Sequence, residues 1–194
     1  MAKYKTEKGF AVQTLTTDTA ASVAASGSWT AGGTLNTSNH TQAGGSGTST
    51  AALIFGGEGP PSISPRFLAT TEEYNGTSFT EKNDLNSART MLGGAGTTTA
   101  TIAAGGTSPP SPNSALTESW NGSSWTEVGD LTVGNKVFGM AGTATAAFEV
   151  GGNNAATSYV ATHEQWNGSA WTESGDINTA RNWGSSFGIT TAAI

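Results

Sequence analysis

The chain has 194 residues with 27 Gly, no Cys, 11% charged side chains and a net charge of −6. Without Cys, disulfide frameworks, thiolate metal centres and Cys nucleophiles are excluded together. The longest apolar runs, such as Ala51 to Phe55, are far too short to span a bilayer, and no apolar run follows the N-terminal lysines, so neither membrane insertion nor a Sec leader is expected.

Residues 1–19 read as an N-terminal arm. Its bases Lys3, Lys5 and Lys8 outnumber Glu7 and Asp18 by one, so the acidity sits in the rest of the chain. A body so acidic offers no basic patch to phosphates, which argues against nucleic acid as a partner. Lys8-Gly-Phe10-Ala-Val12-Gln-Thr14 alternates apolar and polar residues, as does a strand that adds to a neighbour's sheet. A strand lying on its own body, or a terminus without order, accounts for the same pattern. Lys3, Lys5, Lys8, Phe10 and Val12 are the candidate assembly residues.

From residue 20 the chain is a repeat array. Glu-Glu-Tyr-Asn-Gly-Thr-Ser-Phe-Thr-Glu at 72–81 recurs as Glu-Ser-Trp-Asn-Gly-Ser-Ser-Trp-Thr-Glu at 118–127 and as Glu-Gln-Trp-Asn-Gly-Ser-Ala-Trp-Thr-Glu at 164–173, a period of 46. Each copy runs on to Asp84-Leu85, Asp130-Leu131 or Asp176-Ile177. Two then carry Ala88-Arg89 and Ala180-Arg181, where the middle copy has Gly134-Asn135. A second phrase of small residues ends in Gly56-Gly57, Gly105-Gly106 and Gly151-Gly152.

Asn-Gly between aromatic and Thr-rich flanks predicts a hairpin with a type I′ turn, which needs positive φ at both central residues. One unit then reads as an inner strand, Ala51 to Phe55, a hairpin either side of Asn75-Gly76, and a fourth strand after Arg89. Four strands per period of 46, with no sustained helical periodicity, is the count and length of a β-propeller blade.

The order Tyr or Trp, Trp or Phe, Leu, Arg, then a hydrophobic strand closing in Gly-Gly resembles the kelch repeat over residues 48–188, with the turn between the aromatics shortened to Asn-Gly. In composition and phrasing the array is also similar to short, Thr/Gly/Ala-rich kelch-like proteins of marine bacteriophages, cyanophages in particular. The resemblance implies an all-β, kelch-like β-propeller.

Gly188-Ile-Thr-Thr-Ala-Ala-Ile194 lines up with Gly47 to Leu53, so the sequence stops inside a unit. Gly27-Ser-Trp29 through Leu35 to Asn39 aligns with Thr77-Ser-Phe79 through Leu85 to Arg89, the second half of a unit. Four blades are therefore expected, at 48–96, 97–142, 143–188 and 189–194 with 20–47, the last closed from both ends so that no sheet edge stays free. Closure between chains would instead give a homo-oligomer by strand exchange.

Chemistry is sparse. Kelch-like galactose oxidase relies on a Cys-modified Tyr, and this chain has no Cys; sialidase propellers use clustered Arg, and here only Arg66, Arg89 and Arg181 occur, two of them repeat-equivalent. His40 and His163 are isolated, so no metal site and no cofactor are expected. The repeated acids Glu72/Glu118/Glu164, Glu81/Glu127/Glu173 and Asp84/Asp130/Asp176 read as turn bonding and a solvated rim, with a cation site as the alternative. The repeated aromatics read as packing, with sugar stacking as the alternative.

What varies between copies is the loop after each Gly-Gly, and variable loops on a constant scaffold carry binding. Pro60, Pro61, Arg66, Pro109, Pro110, Asn153 and Asn154 are the candidate binding residues on that face. The expected function is that of a non-enzymatic virion structural protein, a head decoration, neck or tail-fibre component that meets other virion proteins through its arm. The alternative is a module that adsorbs to a host-surface carbohydrate.

Overall fold

The computed structural model describes residues 5–7, 10–12, 32–37, 42–61, 66–137, 139–154 and 159–182, with Gly184, Ser186 and Gly188. The chain divides into two compact units, Met1–Ala31 and Gly32–Ile194. All regular structure among the described residues is β, as the period implies, and no helix there is long and apolar enough to cross a membrane.

In the first unit β1 (Lys5–Glu7) pairs antiparallel with β2 (Phe10–Val12), Lys5 opposite Val12 and Glu7 opposite Phe10. The strand expected from Lys8 to Thr14 is thus present at Phe10–Val12, with one edge taken by its own chain. Lys3 and Lys8 lie outside the described residues.

The second unit holds three four-stranded antiparallel sheets. The first is β3 (Gly44–Thr48), β4 (Ala51–Phe55), β5 (Thr71–Tyr74) and β6 (Phe79–Lys82), hydrogen-bonded in that order. The second is β7 (Gly93–Thr97), β8 (Ala100–Ala104), β9 (Thr117–Trp120) and β10 (Trp125–Glu127). A short strand, β11 (Asn135–Lys136), leads to the third, made of β12 (Met140–Thr143), β13 (Ala146–Val150), β15 (His163–Trp166) and β16 (Trp171–Ser174); β14 (Asn153–Asn154), between β13 and β15, pairs with β11.

This pairing moves the expected cut between units. The strand after Arg89 is β7, which pairs with β8 of the following sheet rather than closing the sheet of Tyr74, and Ala51–Phe55 is the second strand of its sheet rather than the first. Likewise Gly44 to Gly47, expected to belong with residues 20–47 in a last blade, pair with β4. The cause is a tight hairpin: Thr48 faces Ala51 and Thr97 faces Ala100, so two residues turn the chain. Gly47 makes this entry with φ +104, in the left-handed region that glycine tolerates. Residues 20–31, 38–41 and 189–194 of the expected last blade lie outside the described residues.

The Asn-Gly hairpins form where expected but with a different turn. Tyr74 faces Phe79, so the loop has four residues, and the positive φ belongs to Gly76 and not to Asn75. Asn75 Oδ1 instead accepts the N–H groups of Thr77 and Ser78, each at 3.0 Å. Asn121 and Asn167 do the same. The side chain that stabilises an open loop by local bonding removes the need for a strained two-residue turn.

The core lies between successive sheets. One layer holds Leu53, Phe55, Leu85, Leu92, Ala103, Trp120 and Trp125; the next holds Ile102, Leu131, Val137, Met140, Trp166 and Trp171. First strands lie side by side, β7 between β3 and β12. Glycine permits this approach: a Cβ on Gly94 would stand 2.6 Å from the Gly45 carbonyl oxygen and 2.6 Å from Phe55 Cζ.

Candidate functional site

The polar groups that repeat with the period converge on the seams between sheets. Glu72 accepts the Asn36 amide N–H at 2.8 Å, Asn36 Nδ2 at 3.0 Å and the Thr37 N–H at 2.7 Å. Glu118 accepts the same set from Asn86, at 2.8 and 2.9 Å, and Glu164 accepts the Thr132 N–H at 2.9 Å. Each glutamate therefore clamps the loop that comes before its own sheet. Buried carboxylates persist only when hydrogen-bonded, and each loop supplies the donors.

The expected turn bonding and solvated rim divide between two sets of acids. Glu72, Glu118 and Glu164 are buried, whereas Glu81, Glu127, Glu173, Asp84, Asp130 and Asp176 are exposed. Glu81 faces Glu72 across the hairpin, as Glu127 faces Glu118 and Glu173 faces Glu164, so each pair shares one face of its sheet; the exposed partner stands on the outermost strand, β6, β10 or β16, and the buried one on the strand inside it. Among the described residues no group of three or more His, Cys, Asp or Glu is placed to hold a metal ion. His163 sits edge-on to Phe148, and His40 lies outside the described residues.

Aromatic residues complete the seam. Trp125 Nε1 donates to Thr71 Oγ1 at 2.9 Å, and Trp171 Nε1 donates to Thr117 Oγ1 at 3.1 Å, one period on. Phe55 meets the Trp125 ring edge-on at 4.9 Å between centroids. Within each hairpin the aromatics pair, Trp120 with Trp125 and Trp166 with Trp171. All four tryptophans are buried and each indole N–H has an acceptor, so they pack the sheets rather than form open sugar platforms.

The first seam carries one further group. Arg89 is wholly buried; Nη1 donates to the Gly105 and Leu116 carbonyls at 3.0 and 2.6 Å, and Nη2 pairs with Glu118 at 2.9 Å. Burial pulls the guanidinium below its ordinary value, and the Glu118 carboxylate opposes that pull. An arginine stays charged in such a setting. Its equivalent Arg181 is exposed, with Nε on the Thr179 carbonyl.

At the second seam the same place holds Asn135. Its Nδ2 donates to the Gly151 carbonyl at 2.7 Å and to Glu149 Oε2 at 3.3 Å. Glu149 stands opposite the clamp Glu164, where Ala103 stands opposite Glu118 and Ile54 opposite Glu72. The substitution of Arg by Asn was visible in the aligned repeats. The matching exchange to Glu149 had one signal in the sequence, a single acid in a strand otherwise apolar or small.

The predicted binding residues lie on loops that all leave the same end of their sheets, opposite the Asn-Gly tips. Pro60 is half-buried, Pro61 and Arg66 are exposed, and Arg66 pairs with Glu58. Backbone bonds close this loop on itself, with Gly59 N donating to the Arg66 carbonyl at 2.8 Å. Pro109 and Pro110 are exposed and joined by a cis peptide bond, held by Ser108 N on the Ser111 carbonyl at 3.1 Å. Asn153 and Asn154 form β14 and are half-buried against β11. The first two loops are thus tied by bonds of their own, and the third is tied to β11. No protein-family model and no curated protein matches this chain.

Proposed function

We propose that the three sheets are successive blades of a kelch-like β-propeller, and that the chain is a non-enzymatic structural and interaction protein of a phage virion. Head decoration, neck and tail fibre are the positions such a scaffold suits. The observation that carries the reading is the repetition of one seam: the Trp-to-Thr bond and the glutamate clamp recur at equivalent places, so each sheet turns against the last in the same way. A constant step between sheets is what a propeller requires.

A fourth blade continues the same logic. The loop after β16, Ile177 to Arg181, repeats the donors of Leu85 to Arg89, and its Asn178 and Arg181 are exposed. This supports a following sheet built from the C-terminal residues and the segment ahead of β3. The repeated polar side chains bond within the seams, which supports a scaffold rather than a catalyst, and the resemblance to marine phage proteins supplies the setting.

The first unit, with its hairpin β1–β2, is the proposed contact to other virion proteins. Quantitative mass spectrometry of purified particles tests the role: decoration predicts many copies per particle. Absence from washed particles contradicts it. The carbohydrate-binding alternative is favoured by the variable Pro-containing loops at one end of the sheets, and it predicts sparse copies together with glycan binding by the isolated chain.

A further inference from the structure

Three buried side-chain polar atoms among the described residues have no hydrogen-bond partner: Arg89 Nε, Asn135 Oδ1 and Glu149 Oε1. Two of them belong to one pair of facing groups, since Asn135 Nδ2 already donates to Glu149 Oε2. Both orphans are acceptors. Each group is nearly inaccessible, Glu149 at 1% and Asn135 at 3% exposure, so bulk water does not satisfy them.

The first seam shows what changed. There a buried guanidinium meets Glu118, and Ala103 fills the place opposite that carboxylate. At the second seam the cation is shortened to Asn135 while the small residue is lengthened to Glu149. The two exchanges offset each other in volume, but not in charge: a positive charge is lost and a negative one gained, beside a second buried acid, Glu164.

We propose that Glu149 is a proton-binding site, and that its protonated carboxyl and the Asn135 amide form a lock on the second seam that rising pH opens. In this lock Glu149 Oε1–H donates to Asn135 Oδ1, and Asn135 Nδ2–H donates to Glu149 Oε2. One proton supplies the donor that both orphaned oxygens lack. The same step removes the charge from a buried carboxyl facing another.

The titration runs in the same direction. Burial raises the Glu149 carboxyl well above its ordinary value, the charge of Glu164 raises it further, and the Asn135 bond acts against both. Glu164, on β15, is the titratable group that bears on it; Met140, across on β12, carries no charge. Because the folded state holds this proton more tightly than the unfolded chain, its stabilisation is complete below about pH 4.3, the unfolded glutamate value. It declines as pH rises through the raised folded value.

Carbon-13 NMR of the full chain, labelled at glutamate carboxyls, tests this directly. One carboxyl signal should stay protonated well above the ordinary glutamate range, and Glu149→Gln should remove that signal. Unfolding measured across pH should show the wild-type unfolding constant rising by up to about tenfold per pH unit above the unfolded pKa, a slope that Glu149→Gln flattens. If every carboxyl titrates in the ordinary range, or if Glu149 is ionised at neutral pH and the fold depends on added cation, the proposal fails. Should Glu149→Gln not fold, the wild-type titration decides alone.

Discussion

At the first seam Arg89 reaches across to Glu118 and two backbone carbonyls; at the second, Asn135 reaches Glu149 and one carbonyl. The indole bonds on either side are the same to within a few tenths of an ångström, 2.9 Å from Trp125 to Thr71 and 3.1 Å from Trp171 to Thr117. So the packing geometry is copied while the charge solution is not. A repeat fixes the shape of the joint, and each joint then neutralises its buried polar groups with the side chains it has.

The comparison breaks most visibly at Arg89. Arg89→Ala leaves Glu118 buried with no counter-ion and should destabilise the chain by about 3–5 kcal/mol, read from chemical denaturation. Asn135→Ala removes only neutral bonds and should cost about 1–2 kcal/mol. Equal losses would mean that the two seams are held in the same way after all.

Charge can also be exchanged between the seams. The double variant Asn135→Arg with Glu149→Ala copies the first seam into the second. It should keep the fold and lose the decline of stability with rising pH, because the group whose folded pKa is raised is gone. A melting series from pH 4 to pH 9 checks this, and an unchanged slope would place the pH dependence elsewhere.

Where the seams agree, so should their variants. Trp125→Phe and Trp171→Phe each remove one buried N–H donor and should each cost about 1–2 kcal/mol. Costs that differ widely would show that the shared geometry hides unequal packing. Smallest are the hairpin tips, where Asn75→Ala, Asn121→Ala and Asn167→Ala each lose at least two local bonds on an exposed loop, for about 1 kcal/mol or less.

How much of this was legible follows from particular residues. The period, the all-β class and the outer hairpins are written in Asn75-Gly76, Asn121-Gly122 and Asn167-Gly168 and their flanking aromatics. The phase of the sheets is not, because Ser49-Thr50 and Thr98-Thr99 turn the chain without any Asn-Gly signal. Reading the strand after Arg89 as an ending rather than a beginning followed from that. Glu72, Glu118 and Glu164 were legible as repeated acids, but their burial depends on a loop one repeat earlier, which spacing within a copy does not reveal. Glu149 was hidden for the opposite reason: it does not repeat.

The scaffold's purpose is proposed to be assembly, with the first unit as the contact. Light-scattering mass after gel filtration, comparing the full chain with one that begins at Ala20, tests this most directly. The account predicts that the full chain forms a defined oligomer and the shortened one a folded monomer. Compact monomers from both would contradict it and turn attention to the Pro-containing loops.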